Sequence, residues 1–292
     1  MLRSLTFLII RLMGIKKIFS KNPIDYKKLR KSDQKLPPNN FFKKFIVEEA
    51  QINETIIHKV KNKEIKTSGL VIFIHGGAFI SGPAEHHWKA TQKIVQQTAK
   101  ELWLIDYPKA PETTIHQICK NIDAVYKQAL QNFKSQEITL IGDSVGGNLI
   151  MTLIQRLLKN KGELPNKLIL ITPVFDASMS NSEIENIAAK DPMLNIQGIL
   201  SAKEMCANGL DLKDQIISPL YGSFRNFPKT ELYIGAYDIM YPDAKLGVEK
   251  MRKEEVDVKL IDGTKMPHIY PLLPVLPEAK KALQEIIESI KE

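Results

Sequence analysis

The chain has 292 residues, a length at which an α/β fold often forms one domain. Its 43% hydrophobic and 25% charged residues are ordinary globular usage and exclude a disordered chain, and its two cysteines exclude a disulfide scaffold and favour a reducing compartment. The net charge of +8 is uneven, because residues 1–44 carry 12 lysines and arginines against two aspartates, whereas residues 45–292 are close to neutral. No nucleic-acid-binding motif accompanies this basic arm (residues 1–44), so nucleic acid is not an expected partner.

The arm begins with an apolar run that is too short to cross a membrane. The run from Leu5 to Ile10 ends at Arg11, far below the ~20 apolar residues of a span, and no small-residue cleavage site follows. We therefore expect a cytoplasmic protein. An apolar stripe at helical spacing continues along the arm: Leu5, Leu8, Leu12, Ile15 and Phe19. Such a stripe suits a helix that packs on its own protein, the interpretation we favour, but it also permits contact with an anionic membrane.

The rest of the chain predicts strands alternating with helices. Strands are predicted at 45–50, 52–60, 70–74, 102–105, 138–141, 168–171, 232–234 and 256–261. Helices are predicted at 86–100, 114–133, 148–159, 241–254 and 277–290, and residues 176–215 are expected to be helical without a strand. This alternation predicts a mostly parallel eight-stranded sheet with helices on both faces. Such sheets carry their chemistry at the carboxyl ends of the strands.

One predicted strand ends in a serine flanked by glycines. The segment Gly142-Asp143-Ser144-Val145-Gly146 has the pattern G-x-S-x-G between a strand and a helix, the nucleophile elbow. The turn forces the serine into a strained conformation and leaves little room for side chains two residues away. We therefore predict Ser144 as a nucleophile, in preference to a glycine-rich turn without chemistry.

A second glycine-containing loop, His75-Gly76-Gly77-Ala78-Phe79, follows the strand predicted at 70–74. An acyl-transfer enzyme needs backbone N–H groups directed at the oxyanion, and glycines let a loop approach the substrate closely. We predict the N–H groups of Gly76, Gly77 and Val145 as oxyanion donors.

The serine needs a general base and an acid that orients it. Of the six histidines, only His268 follows a late strand on a loop, as the chain order serine, acid, histidine requires. Asp238 and Asp176 directly follow strands between these two residues, and Asp238 is favoured because it lies on the neighbouring strand end. Asp243 and Asp262 remain as further alternatives.

Together these segments resemble the hormone-sensitive-lipase group of α/β-hydrolases, the carboxylesterases of the alpha/beta hydrolase fold-3 type. The matching segments, in family order, are HGGAF at 75–79, DYPKAPE at 106–112, GDSVGG at 142–147, SPLYG at 218–222 and GAYDIMYPDA at 235–244, followed by His268. The resemblance implies an α/β-hydrolase fold and an esterase that uses Ser144, His268 and Asp238 on short acyl esters without a metal or cofactor. It also implies a helical cap, formed by residues 1–44 and by an insertion at about 176–215, over a hydrolase domain of residues 45–292.

The chain departs from the family pattern at a few positions. The family's tyrosine-arginine-leucine-alanine-proline-glutamate element lacks its arginine here, at residues 107–112, which bears on local packing only. Val145 replaces the usual alanine and Ile269 follows the histidine, so both branched side chains are expected to narrow the acyl pocket. The predicted pocket residues, for which core packing is an equal explanation, are Phe79, Tyr107, Phe175, Leu220 and Ile269.

Two other functions stay open at this point. One is a non-catalytic binding protein of the same fold, although such relatives usually lose a member of the triad. The other is a lipid hydrolase that docks on a membrane through its basic arm. The expected partner is a small-molecule ester, and a homodimer is left open.

Overall fold

The computed structural model describes residues 2–12, 14–38, 41–273 and 275–292. Eight strands form one sheet: β1 (Phe45–Ile52), β2 (Thr55–Asn62), β3 (Leu70–Ile74), β4 (Glu101–Asp106), β5 (Ile138–Asp143), β6 (Lys167–Ile171), β7 (Lys229–Gly235) and β8 (Val258–Gly263). The helices are α1 (Leu2–Leu12), α2 (Ile15–Phe19), α3 (Tyr26–Leu29), α4 (Glu85–Gln97), α5 (Ile115–Leu130), α6 (Val145–Lys159), α7 (Glu183–Ala188), α8 (Ile196–Ala207), α9 (Tyr241–Lys253) and α10 (Pro277–Lys291).

The strand order in the sheet is β1-β2-β4-β3-β5-β6-β7-β8. The pairs β1–β2 and β2–β4 are antiparallel, and the other neighbouring pairs are parallel. The central strands β3, β4, β5 and β6 are buried along their whole length, as continuous apolar runs covered by helices on both faces require. The predicted mostly parallel eight-stranded sheet is confirmed, and every predicted strand is present with its ends shifted by at most a few residues.

Much of the basic arm folds back onto the body. Phe19 and Ile24 are buried, and the Ile24 N–H donates to the Ser201 hydroxyl of α8 at 3.1 Å. At Gly198, also in α8, a Cβ atom would lie only 2.0 Å from the Phe19 carbonyl oxygen, so a glycine is needed where α2 crosses α8. The favoured interpretation therefore fits Ile15 and Phe19 of the stripe, whereas Leu8 and Leu12 are exposed. The side chain of Leu5 lies outside the part of the chain that the structure describes.

Arg30 binds the arm to residues 107–112, the segment in which the family's arginine is missing. Its guanidinium donates to both carboxylate oxygens of Glu112, at 3.0 and 2.7 Å, and to the carbonyls of Ile80 and Ala110, each at 2.7 Å. A bidentate ion pair combined with two carbonyl acceptors fixes a guanidinium in one orientation. The arm thus supplies an arginine beside residues 107–112 from a distant part of the chain.

Candidate active site

Ser144 lies at the sharp turn between β5 and α6. Its backbone has φ 51° and ψ −120°, a conformation that is strained for any residue other than glycine. The turn is held because the Ser144 N–H donates to the Ile171 carbonyl of β6 at 2.8 Å. A Cβ atom on Gly146 would lie 1.9 Å from the Ile74 carbonyl oxygen, so the G-x-S-x-G spacing is a steric requirement of this close approach.

His268 and Asp238 meet at the carboxyl end of the sheet, next to the elbow. His268 Nδ1 lies 2.7 Å from Asp238 Oδ2, and both side chains are buried. Burial opposes protonation of the imidazole, but the Asp238 carboxylate outweighs it and holds the pKa of His268 above its usual value. The Thr172 hydroxyl, 3.2 Å from the same Nδ1, also accepts the Ile269 N–H at 3.2 Å and so ties the histidine loop to the end of β6.

The other candidate carboxylates have partners elsewhere. Asp176 accepts from the Tyr221 hydroxyl at 2.8 Å, Asp243 from the Asn181 amide at 2.9 Å, and Asp262 from the Tyr241 hydroxyl at 2.6 Å. The structure therefore brings Asp238 to His268, and it places the alternative acids in other interactions.

A further buried carboxylate, Asp191, adjoins this pair and has no counterpart in the sequence predictions. Its Oδ2 accepts the N–H of Ile239, the residue after Asp238, at 3.0 Å, and its Oδ1 accepts two N–H groups of its own turn, from Met193 and Leu194. The pKa of Asp191 is raised to about 6, mainly because the group is buried and secondly because the Asp238 charge is close. No strand leads directly to Asp191, so strand-end reasoning could not find it, whereas Thr172 directly follows β6 and could have been found.

The glycine loop lies against the elbow but uses its N–H groups differently from the prediction. The Gly76 N–H donates to Asp143 Oδ1 at 2.9 Å, so Gly76 anchors the loop, and its predicted role as an oxyanion donor is corrected. No hydrogen bond among the described residues uses the N–H of Gly77, Ala78 or Val145. Gly77 and Ala78 have φ values of 120° and 55°, and both line the cavity above Ser144.

Asp143 is held by a histidine as well as by Gly76. His87 Nε2 lies 3.1 Å from Asp143 Oδ1, and His87 Nδ1 accepts the Ala84 N–H at 2.8 Å. Burial disfavours the Asp143 carboxylate, but His87 and the Gly76 N–H outweigh it and lower its pKa. His86, His87 and Asp143 offer ligand atoms within 4.8 Å of one another, close enough for a metal ion. Because His87 and the Gly76 N–H both already bind Asp143 Oδ1, we interpret these three side chains as a support for the glycine loop.

Ser144 and His268 line one cavity of about 490 Å³. Its apolar wall comes from the arm, from the segment between β6 and β7, and from the histidine loop: Ile15, Ile18, Phe19, Leu29, Met193, Leu194, Ile199 and Ile269. Ile269, one of the predicted pocket residues, is part of this lining.

The other predicted pocket residues pack within the interior or, for Leu220, against it. Among the described residues, the cavity lining does not include Phe79, Tyr107, Phe175 or Leu220. Tyr107 stacks on the His75 ring at 4.4 Å and donates to the His75 carbonyl at 3.0 Å, while Phe175 packs edge-on against Phe224. Phe79 is fully buried, and the Leu220 backbone bridges Phe175 and Lys250.

A family model described as alpha/beta hydrolase fold matches residues 71–272. An esterase from Acinetobacter venetianus RAG-1 is 30% identical over 248 residues, which cover 82% of this chain and 81% of that protein. A solved protein from Staphylococcus aureus, described as a candidate esterase, superposes with a TM-score of 0.84 at 30% identity, covering 94% of this chain and 92% of the other. A solved esterase of the bacterial hormone-sensitive lipase family has a TM-score of 0.86 at 21% identity, covering 99% of this chain and 97% of the other, a likeness of fold.

This fold and these relatives define a carboxylic ester hydrolase. The chain belongs to the alpha/beta hydrolase fold family, in its hormone-sensitive-lipase-like group of carboxylesterases, as the motif resemblance implied.

Proposed function

We propose that the chain hydrolyses short acyl esters with Ser144 as nucleophile, His268 as general base and Asp238 as the acid that orients the base. The observation that carries this proposal is the 2.7 Å contact between His268 Nδ1 and Asp238 Oδ2, beside a strained serine on the same cavity. The aspartate fixes the tautomer with the proton on Nδ1, which leaves Nε2 free to accept a proton.

The reaction follows from these positions. The Ser144 hydroxyl attacks the ester carbonyl while His268 takes its proton, and the Asp238 carboxylate stabilises the imidazolium. His268 then protonates the departing alcohol, leaving an acyl group on Ser144. A water molecule, deprotonated by the same imidazole, releases the acid and restores the serine.

The oxyanion formed in both steps requires N–H donors that are not used elsewhere. We assign this role to Gly77, Ala78 and Val145, which have free N–H groups among the described residues and flank Ser144 in the loop and at the start of α6. Gly76 keeps the loop in place through Asp143. Removing one such donor typically costs about 2.7–4 kcal/mol in the barrier.

The substrate class follows from the cavity. A volume of about 490 Å³ with a largely aliphatic wall suits a small acyl ester, since small-molecule sites span roughly 300–1,000 Å³. Residues 1–44 and 176–215 act as the cap over the hydrolase domain, because both segments contribute side chains to that wall. Ile269, beside the histidine, limits the acyl chain.

Hydrolysis of a p-nitrophenyl ester tests the proposal, together with labelling by a fluorophosphonate. Ser144→Ala should lower kcat on the order of 10⁶-fold and abolish labelling. Ser32→Ala removes another serine hydroxyl that lines the same cavity, and it should keep the labelling. A wild-type protein that binds the ester without turnover or labelling would instead be a binding protein, and retained turnover in Ser144→Ala would refute the assignment.

A further inference from the structure

The first helix of the arm has two different faces. Ile10 is buried, and the Phe7 ring lies 6.1 Å from the Tyr237 ring, so one face of α1 rests on the body. The opposite face leaves Leu8, Ile9 and Leu12 exposed at 53%, 49% and 76%. Three aliphatic side chains clustered on one helical face are unusual on the surface of a soluble protein, and such clusters mark interaction sites. We call these three residues the outer face of α1.

The arm that begins with α1 also carries many exposed basic residues. Along the arm, exposed lysines and arginines follow one another: Arg11, Lys17, Lys21, Lys27, Lys28, Lys31 and Lys35. Asp25 and Asp33 are the only acidic residues in the arm, and each accepts a backbone N–H, from Lys28 and Gly82. The arm therefore combines exposed aliphatic side chains with a strong excess of positive charge, the composition of segments that lie on anionic lipid.

The same arm forms the rim of the cavity that holds Ser144. Ile15, Ile18 and Leu29 contribute to the cavity wall, and Lys28 and Lys31 lie at its edge. Lys16 binds the arm to the body, because its ammonium donates to the carbonyls of Ala188 and Asp191, at 2.8 and 2.5 Å. The helix α1 directly precedes α2, which lines the cavity and is held to the body by Lys16. A lipid surface that contacts α1 therefore lies near the cavity rim, and α2 need not move.

We propose that the outer face of α1, together with the exposed basic residues of the arm, docks on an anionic lipid surface. Docking holds the cavity beside esters dissolved in that surface. No helix in the described ranges is long and apolar enough to cross a bilayer, so this contact is peripheral. The docking does not depend on the proposed function. Only the resulting access of the site to dissolved esters rests on that function.

Cosedimentation with vesicles tests the docking directly. Wild-type protein should bind vesicles that contain phosphatidylglycerol, bind pure phosphatidylcholine vesicles far less, and dissociate at high salt. A triple variant, Leu8→Ser with Ile9→Ser and Leu12→Ser, should lose at least about tenfold in partitioning. The matched control is Leu246→Ser with Val275→Ser, which changes aliphatic side chains of the body that are 46% and 57% exposed and should leave partitioning unchanged.

A second pair of variants tests the role of charge. Arg11→Glu with Lys17→Glu and Lys21→Glu should reduce vesicle binding and flatten its salt dependence, whereas Lys245→Glu with Lys253→Glu, on α9, should not. The melting temperature and hydrolysis of a soluble p-nitrophenyl ester should stay at wild-type values in the triple serine variant, which shows that it folds.

The outcomes separate the proposals. If the wild-type protein does not bind anionic vesicles, or binds neutral vesicles equally well, the docking proposal is overturned. Concentration-dependent self-association that the triple serine variant abolishes, without vesicle binding, also overturns it, because the outer face then joins two copies of the chain. Vesicle binding by a protein that cannot hydrolyse the soluble ester would refute the proposed function alone.

Discussion

Replacing Asp191 with asparagine would remove a buried charge beside Asp238 and His268 while keeping the size of the side chain. The carboxylate accepts N–H groups on both of its oxygens, from Ile239 on one side and from its own turn on the other. Asparagine has one acceptor oxygen, so its NH₂ group must face a backbone N–H and leave a buried donor without a partner. That loss costs about 1–3 kcal/mol of the free energy of unfolding.

The charge also acts on the base. The Asp191 carboxylate is among the groups that raise the pKa of His268, after Asp238, and it is ionised above its own pKa of about 6. Because the base must be neutral to accept a proton, activity falls on the acid side as the pH drops through the pKa of His268. Asp191→Asn lowers that pKa and should move the acid limb of kcat/KM to lower pH.

The assay is kcat/KM for a soluble p-nitrophenyl ester across pH, paired with thermal unfolding. The expected result is a lower melting temperature together with the displaced acid limb. Asp211→Asn is the matched control, because Asp211 accepts the Lys213 N–H in a similar turn at an exposed position and should change neither quantity. A lower melting temperature with an unmoved acid limb would refute the electrostatic reasoning and leave Asp191 as a turn residue only.

Three further predictions concern the site and the arm. Asp238→Asn should lower kcat by about 10⁴-fold, whereas Asp176→Asn should retain most of it; steady-state kinetics of both variants would expose a wrong choice of acid if the losses were reversed. Gly146→Ala should cost about 3 kcal/mol or prevent folding, because its methyl group meets the Ile74 carbonyl oxygen, and an unchanged denaturation midpoint would contradict that clash. Arg30→Ala should cost about 2 kcal/mol and expose the arm to proteolysis. Arg30→Lys should not restore protection, because lysine lacks the planar fork, and a fully protected lysine variant would argue against the bidentate contact.

Local sequence determined the sheet and the position of the nucleophile. Continuous apolar runs such as Leu70–Ile74 are stable only when covered on both faces, so their alternation with helices led to a mostly parallel sheet. The glycine spacing around Ser144 reflects backbone contacts within a few residues, so it too is visible in the sequence. His268 and Asp238 could be selected because the carboxyl ends of parallel strands meet at one edge. The cytoplasmic location stays a prediction, and a homodimer stays open.

Contacts between distant segments could not be derived in this way. Tyr107 and Phe79 follow strand ends, as catalytic residues do, yet their side chains are buried in the protein interior. Whether such a side chain lines the cavity or packs in the core depends on the direction in which it points, which the sequence does not show. The sequence predicts an oxyanion role for the Gly76 N–H, and it cannot reveal that this group pairs with Asp143, 67 residues away.

The sequence by itself determined the fold, the elbow serine and the order of the three candidate catalytic groups, since each depends on periodicity or on neighbouring residues. Only the tertiary structure decided which N–H groups are free, which residues form the cavity, and how Arg30 and Asp191 support the site. It also divided the basic arm, whose charge is plain from composition, into a part that packs on the body and a helix face that stays exposed. The physical reason is that burial and hydrogen-bond pairing are properties of groups brought together from far along the chain.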